Sequence, residues 1–235
     1  MGGELNRGAW AIVLLTVTSV LLDGCATQVV SQTPWFSVQD ARDAPAVRSG
    51  WWMIDDTDCH FPIESPNRLW PDCAKDAVPL PSGDRLVLQG VGQHAFGLLL
   101  VGGDPPILQI TSPSGDQNST SRQMYAGFLV LQKDREGRVT KFTVWAALCG
   151  EQGRPTKDRP YQMTTKRLWP GLVMGENGGE CSATNVAALR EAVRHSPRKG
   201  DWTPGPVRWL RDWRPGDQTP DEWLAERALE TQEGP

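Results

Sequence analysis

The chain lacks the common catalytic signatures. Gly-x-Ser-x-Gly, His-Glu-x-x-His and Gly-x(4)-Gly-Lys are all absent, which excludes the nucleophile elbow, the zinc helix and the phosphate loop that those spacings build. Gly90-Val91-Gly92 has no following helix whose amides could hold a pyrophosphate. Histidine is scarce at three residues. His94 falls in a strand pattern and His195 at a helix end, places suited to packing and to the helix dipole, and His60 carries no assigned role. An excess of charge is missing too. The formal net charge is −4, whereas a nucleic-acid binder would need a basic face. Long apolar runs are absent after the first, so no later segment is written to span a membrane.

That first run is the most informative feature present. Arg7 leads into apolar residues from Ala9 to Leu22, and the run closes Leu22-Asp23-Gly24-Cys25. A basic start, a short apolar stretch and a small residue at the cut describe an export signal. The Cys directly after Gly24 resembles the lipobox of bacterial lipoproteins, which implies lipid on Cys25, that Cys as mature N-terminus, and membrane attachment. Ala26 at the second mature position is not Asp, which for such proteins implies the periplasmic face of the outer membrane. Two other readings stay open: a cut after Ala26 that releases a soluble exported protein, or an uncut anchor, although the run is shorter than the roughly 20 apolar residues of a spanning helix. Without residues 1–24 the chain keeps 23 basic and 26 acidic residues, a net charge of −3.

Five cysteines occur. With Cys25 set aside, Cys59, Cys73, Cys149 and Cys181 form an even set, which in an exported chain reads as two disulfides. Three pairings are open. Cys59–Cys73 and Cys149–Cys181 are favoured because each pair brackets a turn-rich segment with few strand signals. A four-Cys zinc site would need a closer spacing than these residues have.

Twenty-four Gly, 19 Pro and 11 Trp point to short elements joined by turns, as in all-β domains. Residues 25–49 hold few large apolar side chains and read as a flexible tether. The expected β domain runs from residue 50 to 214, starting at Gly50-Trp51-Trp52-Met53-Ile54. Strand patterns follow over Arg85–Val91, His94–Val101 and Ile107–Thr111, with polar residues 112–121 as a loop. The clearest hairpin joins Tyr125–Lys133 to Arg138–Leu148 through Asp134-Arg135-Glu136-Gly137, with Gly where a positive φ is expected. In its second arm Phe142, Val144, Ala146 and Leu148 alternate with Lys141, Thr143 and Trp145, a half-buried strand. A helix is predicted over Thr184–His195, capped by Ser182 or Thr184, then a strand over Pro206–Trp213. Residues 215–235 are expected as a C-terminal helix and tail, opened by the Thr219-Pro220-Asp221-Glu222 capping box. Arg68-Leu69-Trp70-Pro71 recurs as Arg167-Leu168-Trp169-Pro170, a match short enough to arise by chance.

Two clusters could carry chemistry. Asp55, Asp56, Asp58 and His60, with Glu64 nearby, suggest a hydrolase loop or a calcium site, but the EF-hand spacing and its Gly are missing. Neither a metal nor a cofactor is expected. The other cluster is Trp202, Arg208, Trp209, Arg211, Trp213 and Arg214. If the segment is extended, Trp209, Arg211 and Trp213 share a face able to stack on sugars and pair with phosphate or carboxylate. Its plain alternative is an edge strand whose aromatics cover the end of the domain.

Gly50-Trp51-Trp52, Cys59-His60-Phe61, Trp70-Pro71-Asp72-Cys73-Ala74 and Trp145-Ala146-Ala147-Leu148-Cys149-Gly150 together resemble a family of bacterial exported lipoproteins to which no activity is attached. Gly50-x-Trp52 and a late helix before a last strand are also similar to lipocalins, which implies an eight-stranded barrel holding a small apolar ligand. The expected fold is mostly β: an antiparallel barrel or strongly curved sheet with one packed helix and a C-terminal helix. The expected role is a non-enzymatic binding or structural module of the envelope, partnered by the membrane and by an envelope protein, a glycan or a small apolar ligand. A lipocalin-like carrier and a hydrolase are the alternatives.

Overall fold

A computed structural model describes residues 27–55, 58–80, 87–89, 97–112, 121–153, 165–176, 179–198, 205–219 and 222. The strands are β1 (Gln28–Ser31), β2 (Gly50–Ile54), β3 (Val78–Leu80), β4 (Val87–Gln89), β5 (Gly97–Val101), β6 (Ile107–Ser112), β7 (Arg122–Lys133), β8 (Val139–Ala146), β9 (Gly150–Gln152), β10 (Thr165–Leu168), β11 (Leu172–Met174), β12 (Glu180–Ala183) and β13 (Val207–Arg211). One helix, α1 (Val186–His195), precedes β13. The proposed signal, Cys25 and nearly all of the C-terminal helix lie outside the described residues. The Thr219–Glu222 capping box expected to open it is formed, because Glu222 accepts from the Thr219 amide at 2.8 Å and Thr219 Oγ1 accepts from the Glu222 amide.

The hairpin is the backbone of the fold. Asp134 Oδ1 accepts from the amides of Glu136 and Arg138 at 3.0 and 2.9 Å, and Gly137 sits at φ +81°. A short acceptor side chain and a left-handed Gly are what a tight turn demands. Beyond it, β8 pairs with β7 from Val139 opposite Lys133 to Ala146 opposite Ala126. Antiparallel pairing then gives the order β3-β2-β13-β8-β7-β6-β5-β4. β1 extends the β8 edge of β7, with Val30 opposite Met124, and takes β12 parallel on its other side. β11 joins β12, and β9 with β10 form a separate ribbon. The sheet is therefore mixed and not a closed barrel among the described residues.

Alternation sorts the side chains into an inner and an outer face. Trp52, Leu80, Leu100, Leu108, Ile110 and Phe142 belong to one inner cluster whose buried members are 0–8% exposed. Besides Ala44, Val47 and Leu148, its members lie in strands of the sheet. Outside it lie two further cores. One packs α1 and the N-terminal segment against Trp145 and Tyr125, and the other packs Trp51, Met53 and Leu210 against the Cys59–Cys73 loop.

Three expectations change. Residues 28–49 are not a free tether, because β1 is paired on both edges and the Phe36 backbone exchanges two hydrogen bonds with buried Gln109. The polar tract buries few side chains but satisfies its backbone against the sheet, which composition does not report. β8 is buried on both faces at its C-terminal end, since α1 covers Trp145, whose Nε1 donates to Val193 O at 2.9 Å. The cap of α1 is Asn185, whose Oδ1 accepts from the Ala188 amide. Ser182 instead continues β12. Leu189 and Val193 of α1 are fully buried, each contributing about 1.5–3 kcal/mol. Both favoured disulfides are present, with Cα separations of 5.5 Å for Cys59–Cys73 and 5.8 Å for Cys149–Cys181.

Candidate functional site

The Trp–Arg segment does not form one face. The register between β13 and β2 slips between Trp209 and Arg211, and a bulge re-aims the side chains that follow it. Trp209 packs on the inner core, while Leu210 and Trp213 belong to the core beside the disulfide loop. Arg211 is 3% exposed. Its guanidinium pairs with both oxygens of Asp217 at 2.7 Å and donates to the carbonyls of Ile63, Ser65 and Asp212. Asp217 also accepts from Trp51 Nε1 and from the amides of Asn67 and Arg214. Burial raises the Asp217 pKa, but the bonds from Arg211, Asn67 and Arg214 outweigh it, and the carboxyl stays below its ordinary range. The bonds of Arg211 are taken up within the fold. It ties the disulfide loop to the chain after β13, under the Trp70 ring.

Trp209 is different. It lies half-buried at the hairpin end of the sheet, with the Arg48 guanidinium 3.6 Å above its ring and its Nε1 donating to Ser49 O. A cleft of about 370 Å³ opens here, lined by Arg48, Gln132, Lys133, Asp134, Thr140, Lys141, Arg208 and Trp209. Three carboxylates partly neutralise its cations. Arg48 reaches Asp212 and Asp134. Arg208 and Lys141 stand opposite each other across β13 and β8, an unfavourable pairing that Asp55 relieves by bridging both. Burial raises the Asp134 pKa, yet its bonds from Arg138 and Glu136 bring it below the ordinary range. The buried Thr140 Oγ1 has no hydrogen-bond partner. The cationic rim, with the Arg48 guanidinium stacked on the indole, suits an anion attached to a flat surface.

The acidic loop does not converge. Asp55 is committed to its two ion pairs, Glu64 pairs with Arg214, Asp58 and His60 are exposed, and Asp56 lies outside the described residues. No group of three His, Cys, Asp or Glu that could hold a metal occurs among the described residues. His195 stacks on Trp169 with ring centres 4.9 Å apart, the packing role its position suggested, and His94 lies outside the described residues.

Sequence reasoning missed Arg48, Lys133, Thr140 and Asp217. Arg48 lay in the supposed tether and Asp217 in an ordinary Pro215-Gly216 turn, so neither had a local signal. Lys141 was visible as an outward position of β8, and its meeting with Arg208 needed the strand order. No helix among the described residues is long and apolar enough to cross a membrane. Comparison with family models, with curated proteins and with solved structures finds no match for the chain.

Proposed function

We propose that the chain is an exported envelope lipoprotein, acylated at Cys25, whose disulfide-stapled β domain acts as a non-enzymatic binding module at the periplasmic face of the outer membrane. The observation that carries the binding reading is the cleft at Trp209. An indole face beneath Arg48, with Lys133, Lys141 and Arg208 around it, matches a saccharide bearing phosphate or carboxylate. The two disulfides support an oxidising compartment. Titration with a phosphorylated core oligosaccharide, followed by tryptophan fluorescence, tests the reading. Binding that weakens with added salt and is lost in Trp209→Ala is expected, whereas binding unaffected by that substitution overturns it. Intact mass of the membrane-extracted protein tests the address: acyl groups on the Cys25 fragment, and a gain of four hydrogens on reduction.

A barrel is the second reading, and the strand order favours it. β3 and β4 are consecutive in the chain and stand at the two ends of the antiparallel series. Pairing them would close an eight-stranded barrel with Gly50-x-Trp52 in an early strand and α1 before the last, as in lipocalins. Its interior would already be filled by Trp52, Phe128 and Phe142, so the ligand belongs at the mouth rather than inside. Slow amide exchange throughout Val87–Gln89 supports closure, and exchange of alternate amides at the rate of free peptide counts against it.

A further inference from the structure

The fold leaves almost no chain between the proposed lipid and the domain. Thr27 is 2% exposed, its carbonyl accepts from the Cys149 amide at 2.9 Å, and its Oγ1 lies 2.5 Å from Thr165 Oγ1. β1 begins at the next residue and is paired to β7 and β12. Only Ala26 separates Thr27 from Cys25, and two residues reach at most ~7 Å. An acyl chain on Cys25 has to enter the bilayer, so the end of the sheet that holds Thr27 must lie at the lipid headgroups.

The groups at that end suit a charged lipid surface. The β9–β10 ribbon lies against that end through Thr165, which meets Thr27. Lys166 and Arg167 are exposed there, and Glu151, opposite Arg167, is exposed too, which leaves the ribbon an excess of one positive charge. Basic side chains within a Debye length of anionic headgroups are attracted to them. The cleft lies at the other end. Gln28 bridges to Leu148, and Lys141 is seven residues up β8, ~24 Å away at strand spacing.

We infer that the β9–β10 ribbon is a membrane-docking surface for anionic phospholipid headgroups, holding the domain flush on the bilayer with the Trp209 cleft turned away from it. The inference rests on acylation of Cys25. A domain on a long tether would tumble, whereas this one has a fixed pose and presents its cleft to whatever lies across the periplasm.

The test uses the full-length acylated protein in vesicles containing phosphatidylglycerol and a nitroxide-labelled lipid. Bimane is placed at Lys166→Cys or, at the far end, at Lys133→Cys, and intact mass verifies both native disulfides and the acyl groups. Loss of most fluorescence at position 166 with little change at 133 is expected, and a Gly-Ser spacer inserted after Ala26 should reduce the contrast without abolishing it. Equal fluorescence at both positions in verified acylated protein overturns the fixed pose while leaving the lipoprotein reading intact. Absence of acyl mass overturns both. Equal quenching of Lys166→Cys in a Lys166→Cys/Arg167→Glu variant removes the role of Arg167 and leaves the short linker as the sole cause, which contradicts the docking surface.

Discussion

At the scale of single residues, the Arg211–Asp217 pair is where charge matters most, since both side chains are only 3% exposed. Removing one partner strands a buried charge, which costs about 3–5 kcal/mol. Arg211→Met is therefore expected to lower the stability measured by urea unfolding by that amount. It should also free the Cys59–Cys73 loop, seen as faster amide exchange at Ile63–Ser65. Acid acts on the same carboxylate. Asp217 and Asp134 have lowered pKa values in the fold, so their contributions are complete above the unfolded carboxylate range, near about 4. They fade as pH falls through the lower folded values. The urea midpoint is expected to hold between pH 7 and about 5 and to drop below about 4, more gently in Asp217→Asn from its lower starting point. Packing sets a second residue-scale limit. A Cβ on Gly127 would stand 2.2 Å from the Trp145 ring and 2.7 Å from Val193. Gly127→Ala should cost about 1–3 kcal/mol through overpacking, read as a lowered thermal midpoint with a weakened near-ultraviolet signal from Trp145.

At the scale of elements, local rules account for the parts that fold locally. The β7–β8 turn follows from Asp134 and Gly137, and α1 follows from its apolar stripe with Pro197 beyond its end. The cap of α1 lies one residue beyond Thr184 and three beyond Ser182, the two expected caps, because Asn185 is as good a cap as Thr184. Asn185 wins since its side chain reaches the Ala188 amide, while Thr184 Oγ1 donates to Gly171 O. Asn185→Ala is expected to destabilise by about 1 kcal/mol and Thr184→Ala by less, a difference that paired urea titrations resolve. The disulfides act as elements too. Loop closure assigns about 3 kcal/mol to Cys59–Cys73 and about 4 kcal/mol to Cys149–Cys181, given sequence separations of 14 and 32. The second also clamps β1, because Cys149 and Cys181 flank it: Val29 faces Cys181, and Thr27 bonds the Cys149 amide. Reduction or Cys149→Ala with Cys181→Ala should therefore expose the N-terminal strand to protease before the rest of the sheet unfolds. The bulge in β13 had no such local cause. Trp209, Arg211 and Trp213 read as one face by period two, and the slip that separates them is set by the packing of β13 against β2 and by the pull of Asp217 on Arg211.

At the scale of the whole molecule, the inner core and two outer cores share one sheet, and each outer core is covered by a different piece of chain. The N-terminal segment and α1 cover one, and the disulfide loop with the residues after β13 covers the other. This arrangement explains why β2 and β8 bury aromatic side chains on both faces, Trp52 and Phe142 inward and Trp51 and Trp145 outward. The sequence by itself determined the quantities that depend on neighbours along the chain: the export-type start, the β-rich pattern, the hairpin, the helix and the favoured pairing of four cysteines by the segments they bracket. Only the tertiary structure decided that residues 28–49 belong to the sheet, that Arg211 is a buried tie, and that Arg48, Lys141, Arg208 and Trp209 meet in one cleft. The reason is physical. Periodicity and capping are local and are written within a few residues, whereas the partner of a backbone edge or of a buried charge is chosen by which distant strands come to lie beside it.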